Sequence, residues 1–185
     1  MKPKDLQASW QEYVGGLFQN STILDIGSGY GQSRERLSNN GSNTVLTHDV
    51  NNAMQGFVDI VCDVKGLWKH GIKHRNIITK NNDDKINLIT AFDVLEHVSK
   101  PISFLNIIKH YANNVFISVP SYPYHKKPWA FKPSELIWLF GKCDLRVAGL
   151  YGRVCYEDKD FISSLSMKDF LNDDWYAYGV WGCHN

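Results

Sequence analysis

Three glycines at alternate positions follow a short apolar segment near the start of the chain. Residues 23–26 have the length and apolar character of a buried parallel strand, and Gly27, Gly29 and Gly31 follow at once. Glycine permits positive φ angles and lets the backbone approach a ligand without a Cβ atom in the way. Residues 32–37 predict the start of a helix, so free N–H donors would lie beside the end of the strand. This arrangement is typical of a site for a nucleotide-like ligand.

Three interpretations of this loop are open. The first is a tight turn without a ligand. The second is a dinucleotide site, although the usual spacing of such sites, G-x-G-x-x-G, differs from the spacing here. The third is a site for S-adenosylmethionine. The third interpretation rests on the pattern D-x-G-x-G-x-G, formed by Asp25 and the three glycines, which resembles motif I of the class I S-adenosylmethionine-dependent methyltransferases. The resemblance implies that Asp25 orients the loop and that the loop, including Ser28, contacts the amino-acid part of the cofactor.

An acidic residue ends the next apolar segment. Asp49 lies about twenty residues beyond the glycine loop, where the ribose of a nucleoside is held in related folds. A carboxylate suits this role because it accepts hydrogen bonds from two hydroxyl groups at once. The alternative is a helix N-cap, for which aspartate is also suited. We expect Asp49 to bind ribose and Val50 to contact the cofactor beside it.

A further acid ends the third predicted strand, residues 57–63. The resemblance implies that Asp63 accepts a hydrogen bond from the adenine amino group and that Val64 lies near the adenine ring. The alternative is a surface turn, in which aspartate is common. The resemblance also implies that the backbone near Ala91 and Phe92, at the end of the fourth predicted strand, flanks the methionine end of the cofactor.

Residues 92–98 carry the most specific motif. They read F-D-V-L-E-H-V and resemble the D/E-x-x-E-H segment of the methyltransferase branch that includes the ubiquinone-biosynthesis O-methyltransferases and many sugar and lipid methyltransferases. Asp93 and Glu96 are three residues apart and would share one face of a helical turn. Together with His97 and His125 they offer ligands that suit Mg²⁺ or Mn²⁺. Some members of this branch bind a metal with such a segment, whereas in others it orders the loop, and both uses stay open here.

The chain also offers candidate bases and a candidate substrate rim. His97 and His125 lie beside predicted strand ends and are the candidate catalytic bases, with a structural role as the alternative for each. Loops after the carboxyl ends of parallel strands bind ligands in open α/β sheets. We therefore expect the loop after the fifth predicted strand to form the rim of the substrate site, with Tyr122, Tyr124, His125, Lys126 and Trp129.

The composition restricts the class of protein. A chain of 185 residues, 43% of them hydrophobic, predicts one globular domain with a sizeable core. Its 20 Lys and Arg and 19 Asp and Glu residues give a formal net charge of +1, so it has no overall basic field for nucleic acid. The four cysteines form no C-x-x-C pair and indicate reduced thiols in a cytoplasmic protein. No apolar run reaches the roughly 18 residues of a membrane span.

The predicted fold class is α/β. It is a Rossmann-like class I methyltransferase fold with a mostly parallel, seven-stranded sheet and helices on both faces. We expect one domain over residues 1–185, with an N-terminal helix in residues 1–20, a cofactor-binding core in 21–150 and C-terminal strands in 151–185. The N-terminal helix, predicted over residues 5–18, would bury the apolar face formed by Leu6, Trp10, Val14 and Leu17.

We therefore expect a methyltransferase that uses S-adenosylmethionine and acts on a hydroxyl or amine of a small molecule, sugar or lipid, as a monomer or dimer. The alternatives are an RNA 2′-O-methyltransferase with a divalent metal, an NAD-binding oxidoreductase, and a binding module that has lost catalysis. The near-neutral charge disfavours RNA, because phosphate contacts generally need a basic stripe. The glycine spacing disfavours NAD.

Overall fold

The computed structural model describes residues 3–66, 86–120, 131, 135, 138, 143–149, 154–156 and 175–183. These residues form helices and strands that alternate along most of the chain. The elements are α1 (Pro3–Leu17), β1 (Thr22–Ile26), α2 (Ser33–Leu37), β2 (Thr44–Asp49), β3 (Ile60–Val61), β4 (Ile86–Phe92), α3 (Pro101–Tyr111), β5 (Ala112–Pro120), β6 (Cys143–Gly149), β7 (Val154–Tyr156) and β8 (Trp175–Cys183).

The strands form one sheet in the order β3-β2-β1-β4-β5-β8-β6-β7. Neighbouring strands from β3 to β5 are parallel, whereas β8 runs antiparallel to both β5 and β6, and β7 runs antiparallel to β6. The α/β prediction is confirmed. The predicted number of seven strands is wrong, because the described residues form an 8-stranded sheet. The strand without a sequence prediction is β7, which is only three residues long.

Apolar side chains cover both faces of the parallel strands because successive residues of a strand point to opposite faces. On one face, Phe104, Leu105 and Ile108 of α3 pack with strand residues such as Leu24 and Ile89. The other face is covered by α1 and α2, whose contacts with the strands involve Trp10, Val14, Leu37, Ile23, Leu88, Phe92 and Phe116. Such continuous burial on both faces is typical of parallel strands between helices.

Helix α1 lies close against α2. Gly15 sits at the contact, where a Cβ atom would come within 2.6 Å of the Arg36 carbonyl oxygen. Trp10 and Val14 are buried as predicted, but Leu17, the last residue of the helix, is 40% exposed. None of the helices in the described ranges is long and apolar enough to cross a bilayer.

Candidate functional site

Asp25 lies in β1 beneath the glycine loop, on the face of the sheet that α1 and α2 cover. Its side chain is 2% exposed. One carboxyl oxygen accepts a hydrogen bond from the Ser33 hydroxyl of α2, and the other accepts from Thr90 Oγ1 of β4 at 2.7 Å. Burial raises the pKa of Asp25 to about 6, against the opposing effect of these two hydrogen bonds. Asp25 thus joins β1, β4 and α2 below the loop.

The glycine loop adopts the backbone that its sequence predicts. Gly27, Gly29 and Gly31 have φ angles of +72°, +56° and +73°. A Cβ atom on Gly27 would lie 2.5 Å from Val94 Cγ2, and one on Gly31 would lie 2.7 Å from the Phe57 carbonyl oxygen. A Cβ atom on Gly29 would meet nothing within 4 Å. The outer glycines therefore allow close packing, whereas Gly29 faces open space.

The end of β2 holds this loop in place. The His48 carbonyl oxygen accepts hydrogen bonds from the N–H groups of Gly27 and Ser28, at 2.8 and 3.0 Å, and from Ser28 Oγ at 3.2 Å. The buried His48 ring has its Nε2 2.8 Å from the carbonyl oxygen of Cys62, in the loop after β3. Burial lowers the pKa of His48. His48 therefore connects the glycine loop with the segment that carries Asp63.

Asp49 stands beside the loop at the carboxyl end of β2. Its Oδ2 accepts the Gly29 N–H at 3.0 Å, and its Oδ1 accepts the Asn51 N–H at 2.8 Å. The side chain is partly exposed, and the next residue, Val50, is 64% exposed. Each carboxylate oxygen can accept a second hydrogen bond from a ligand. The alternative helix-cap role falls instead to Asn51, whose side chain accepts the Ala53 N–H.

Asp63 follows β3, which is much shorter than the predicted strand of residues 57–63. Its exposed carboxylate accepts the N–H of Lys65 at 2.8 Å, so the turn interpretation also applies to this residue. Val64 begins a short helical turn and contacts the core on the α3 side. The hydrogen bond to Lys65 uses only Oδ1 and leaves Oδ2 for other partners.

A cavity of about 570 Å³ lies between α1, the glycine loop and α2. Of the predicted cofactor residues it brings together Asp25, Gly27, Ser28, Gly29 and Phe92. Asp49, Val50, Asp63 and Val64 do not line it, although Asp49 is joined to it through Gly29. The side chain of Ala91 lies in the core on the opposite face of the sheet, and Ala91 does not line the cavity. The lining residues without a sequence prediction are Gln7, Ala8, Gln11, Tyr30, Gln32, Ser33 and Arg36.

The D-V-L-E-H segment does not form the predicted helical face. Asp93 has a φ angle of +55°, and the helical turn begins two residues later, over Leu95–His97. The carboxyl group of Asp93 accepts a hydrogen bond from Ser118 Oγ at 3.1 Å, and burial raises its pKa to about 6. Glu96 is buried, with Oε1 3.5 Å from Nε2 of the partly exposed His97.

The predicted metal site gains no support from this segment. The described part of the chain contains no group of three or more His, Cys, Asp and Glu side chains that could hold a metal ion. The fourth predicted ligand, His125, lies outside the described residues, as do the predicted rim residues Tyr122, Tyr124, Lys126 and Trp129.

Comparisons with known proteins agree with this architecture. A family profile described as "Methyltransferase domain" matches residues 3–149. A S-adenosylmethionine (SAM) dependent methyltransferase from Aquifex aeolicus is similar at 18% identity and a TM-score of 0.56, over 97% of this chain and 92% of that chain. One from Archaeoglobus fulgidus is similar at 16% identity and a TM-score of 0.62, over 99% and 95%. The plantazolicin methyltransferase BpumL, solved with SAH, is similar at 13% identity and a TM-score of 0.60, over 98% and 83%. No curated protein matches the sequence significantly.

The structural neighbours support the Rossmann-like fold, and the family match covers most of the chain. The prediction of a methyltransferase is confirmed at the level of the family. The branch named from the D-V-L-E-H segment, the methyl acceptor and the roles of individual residues stay predictions. The chain therefore belongs to the methyltransferase domain family.

Proposed function

We propose that the chain transfers the methyl group of S-adenosylmethionine to a hydroxyl or amine of a small molecule, sugar or lipid. The observation that carries this proposal is the hydrogen bond between the Gly29 N–H and Asp49 Oδ2, at 3.0 Å. It joins a glycine loop and a partly exposed carboxylate at the carboxyl ends of two neighbouring parallel strands, where nucleoside ligands bind in open α/β sheets.

The residues present fit such a cofactor. Each carboxylate oxygen of Asp49 accepts one hydrogen bond from a backbone N–H, and its remaining lone pairs would accept hydrogen bonds from the two ribose hydroxyls. Gly29 leaves open space beside this carboxylate. The cavity of about 570 Å³ that Gly29 lines is within the usual range of small-molecule sites, roughly 300–1,000 Å³. Asp63 would accept from the adenine amino group, and the exposed Val50 and half-buried Val64 would contact the ring.

Bound S-adenosylmethionine supplies a methyl group that is already activated as part of a sulfonium, so the protein mainly has to position the acceptor. Asp25 keeps the glycine loop in register with β4 and α2 through its two hydroxyl partners. His97, beside Glu96, is the proposed base for an acceptor hydroxyl. His125 is the other proposed base, and Tyr122, Tyr124, Lys126 and Trp129 are the proposed substrate rim.

Binding of the cofactor is tested by isothermal titration calorimetry with S-adenosylhomocysteine (SAH) and, in parallel, with NADH. We expect wild-type protein to bind SAH and not NADH. Asp49→Ala should weaken SAH binding about tenfold to a hundredfold, because hydrogen bonds to a charged group are lost. Glu35→Ala is the matched control, since it removes an exposed acidic side chain of α2 and should leave the affinity unchanged. Equal affinity of wild type and Asp49→Ala would remove the ribose assignment.

The acceptor is tested separately with methyl-labelled S-adenosylmethionine. Label should enter the small-molecule, glycan or lipid fraction of a cell extract and not the RNA fraction, in keeping with the formal net charge of +1. The same assay with EDTA tests the metal, which the proposal does not use. Label in RNA that disappears with EDTA would favour the metal-dependent alternative instead.

A further inference from the structure

Two arginines of the short helix α2 have different surroundings. Residues two apart on a helix do not face each other, so Arg34 and Arg36 point to different sides. Arg34 Nη2 forms an ion pair with Asp59 Oδ2 at 2.6 Å and donates to Thr47 Oγ1 at 2.8 Å. Arg36 lines the cavity instead, and its Nη1 donates to Gln11 Oε1 of α1 at 3.0 Å. One arginine is neutralised by a carboxylate and the other is held by a neutral amide.

The guanidinium of Arg36 forms no ion pair with the described residues, although Glu12 and Glu35 line a second, more open cavity together with Arg36. No carboxylate in the described part of the chain lies within 4.0 Å of this guanidinium. Its amide partner Gln11 is only 6% exposed, so the hydrogen bond between them is shielded from water. A guanidinium has five N–H donors in a planar fork that matches the two oxygens of a carboxylate. Because the guanidinium of the half-buried Arg36 lies at the wall of the cavity, the cavity favours a ligand that carries a carboxylate.

The position of the cavity selects which carboxylate. Gly29 lines the cavity, and its N–H is hydrogen-bonded to Asp49. With the ribose at Asp49, the amino-acid end of the cofactor would extend past Gly29 into the cavity toward α1. Gln7 of α1 also lines the cavity, and its Nε2 donates to the Phe92 carbonyl oxygen at 3.4 Å, which leaves Gln7 Oε1 as an acceptor. An α-carboxylate would thus have Arg36 as a partner, and an α-ammonium group would have Gln7 Oε1.

We propose that Arg36, held by Gln11, binds the α-carboxylate of the cofactor's amino-acid end. This inference rests on the proposed function and assigns the specificity of that site for the amino-acid part of its ligand. Arg36 would favour ligands that carry the carboxylate over otherwise identical ligands that lack it. Gln11 acts as a positioning residue, because it fixes the guanidinium at the wall of the cavity.

Calorimetry with two ligands tests the proposal: SAH and decarboxylated SAH, which lacks only the carboxylate. Wild type should bind SAH about tenfold to a hundredfold more tightly than decarboxylated SAH, because this is the usual contribution of charge-assisted hydrogen bonds. Arg36→Gln should lose this preference by weakening SAH alone, and Arg36→Lys should recover part of it. The matched control Arg34→Gln, two residues away on the same helix, should keep the wild-type preference. Gln11→Ala should reduce the preference less than Arg36→Gln does.

The outcomes are distinct. An unchanged preference for SAH in Arg36→Gln overturns the carboxylate assignment. Equal weakening of both ligands also overturns it, because Arg36 would then only support the shape of the cavity. If Arg36→Gln fails to fold, judged by circular dichroism, Arg36→Lys and Gln11→Ala carry the same comparison. Failure of wild type to bind either ligand overturns the proposed function together with this inference, whereas equal binding of both ligands by wild type overturns this inference alone.

Discussion

The carboxyl groups of Asp25 and Asp49 lie on adjacent parallel strands, but their surroundings differ. Asp25 is buried and accepts hydrogen bonds from two side-chain hydroxyls, Ser33 and Thr90. Asp49 is partly exposed and accepts hydrogen bonds from two backbone N–H groups of neighbouring loops. A buried carboxyl group that side chains of two other elements hold by hydrogen bonds stabilises the fold. One that borders solvent keeps lone pairs for a ligand. The following predictions test this difference.

The largest expected effect is on stability. At pH 7, Asp25→Ala should lower the free energy of unfolding by about 3–5 kcal/mol, since the buried Ser33 and Thr90 hydroxyls each lose an acceptor at about 1–3 kcal/mol and a small cavity remains. Urea denaturation followed by circular dichroism measures it. A loss below about 1 kcal/mol would contradict a structural role for Asp25.

The second effect depends on pH. Because burial raises the pKa of Asp25 to about 6 from the ordinary value of 3.8, the folded state holds this proton more tightly than the unfolded state. The contribution to stability is therefore full below about pH 3.8 and is lost as pH rises through about 6. Relative to Asp25→Asn, which cannot titrate, wild type should lose about 3 kcal/mol between pH 3.8 and pH 7. A difference between the two proteins that stays constant with pH would show that the pKa is not raised.

The third prediction compares two glycines of the loop. Both alanine variants carry the cost of a left-handed backbone, about 1–2 kcal/mol. Gly31→Ala should cost about 2 kcal/mol more than Gly29→Ala, because its Cβ atom would lie 2.7 Å from the Phe57 carbonyl oxygen. Thermal unfolding of both variants measures the difference. Gly29→Ala should instead be the variant that weakens SAH binding, and equal stability losses would argue against the close packing at Gly31.

The smallest effect on stability is expected at Asp49. Asp49→Ala removes the acceptor of two backbone N–H groups near solvent and should lower the free energy of unfolding by about 1 kcal/mol. The same urea titration as for Asp25→Ala measures it, so the two acids are compared directly. A loss as large as that of Asp25→Ala would mean that Asp49 is also mainly structural.

The features that the sequence predicts well depend on local patterns. Apolar runs identify β1, β2, β4 and β5, because parallel strands that are covered on both faces bury most of their side chains. The glycine loop is predictable since its positive φ angles restrict the residue type. Asp49 is predictable because strand ends meet at one edge of the sheet, which places it beside Gly29 although the two are distant in sequence.

The features that the sequence does not reveal depend on tertiary contacts. Arg36 and Gln11 meet across 25 positions, and nothing in the local sequence distinguishes Arg36 from Arg34. Asp93 follows its strand in a left-handed conformation, held by Ser118 of the neighbouring strand, so the expected helical spacing of Asp93 and Glu96 does not apply. The apolar spacing of α1 likewise does not reveal that Trp10 and Val14 are buried whereas Leu17 is 40% exposed.

The close contact at Gly15 has a consequence for ligand binding. At Gly15 of α1 only a hydrogen atom fits beside the Arg36 carbonyl oxygen. Helix α1, which lines the cavity, therefore packs directly against α2, which carries Arg36. A methyl group at this position would force α1 away from α2, and Gln7 and Gln11 would move with α1. Because Gln7 and Gln11 of α1 line the cavity, we expect Gly15→Ala to change the shape of the cavity and to weaken ligand binding.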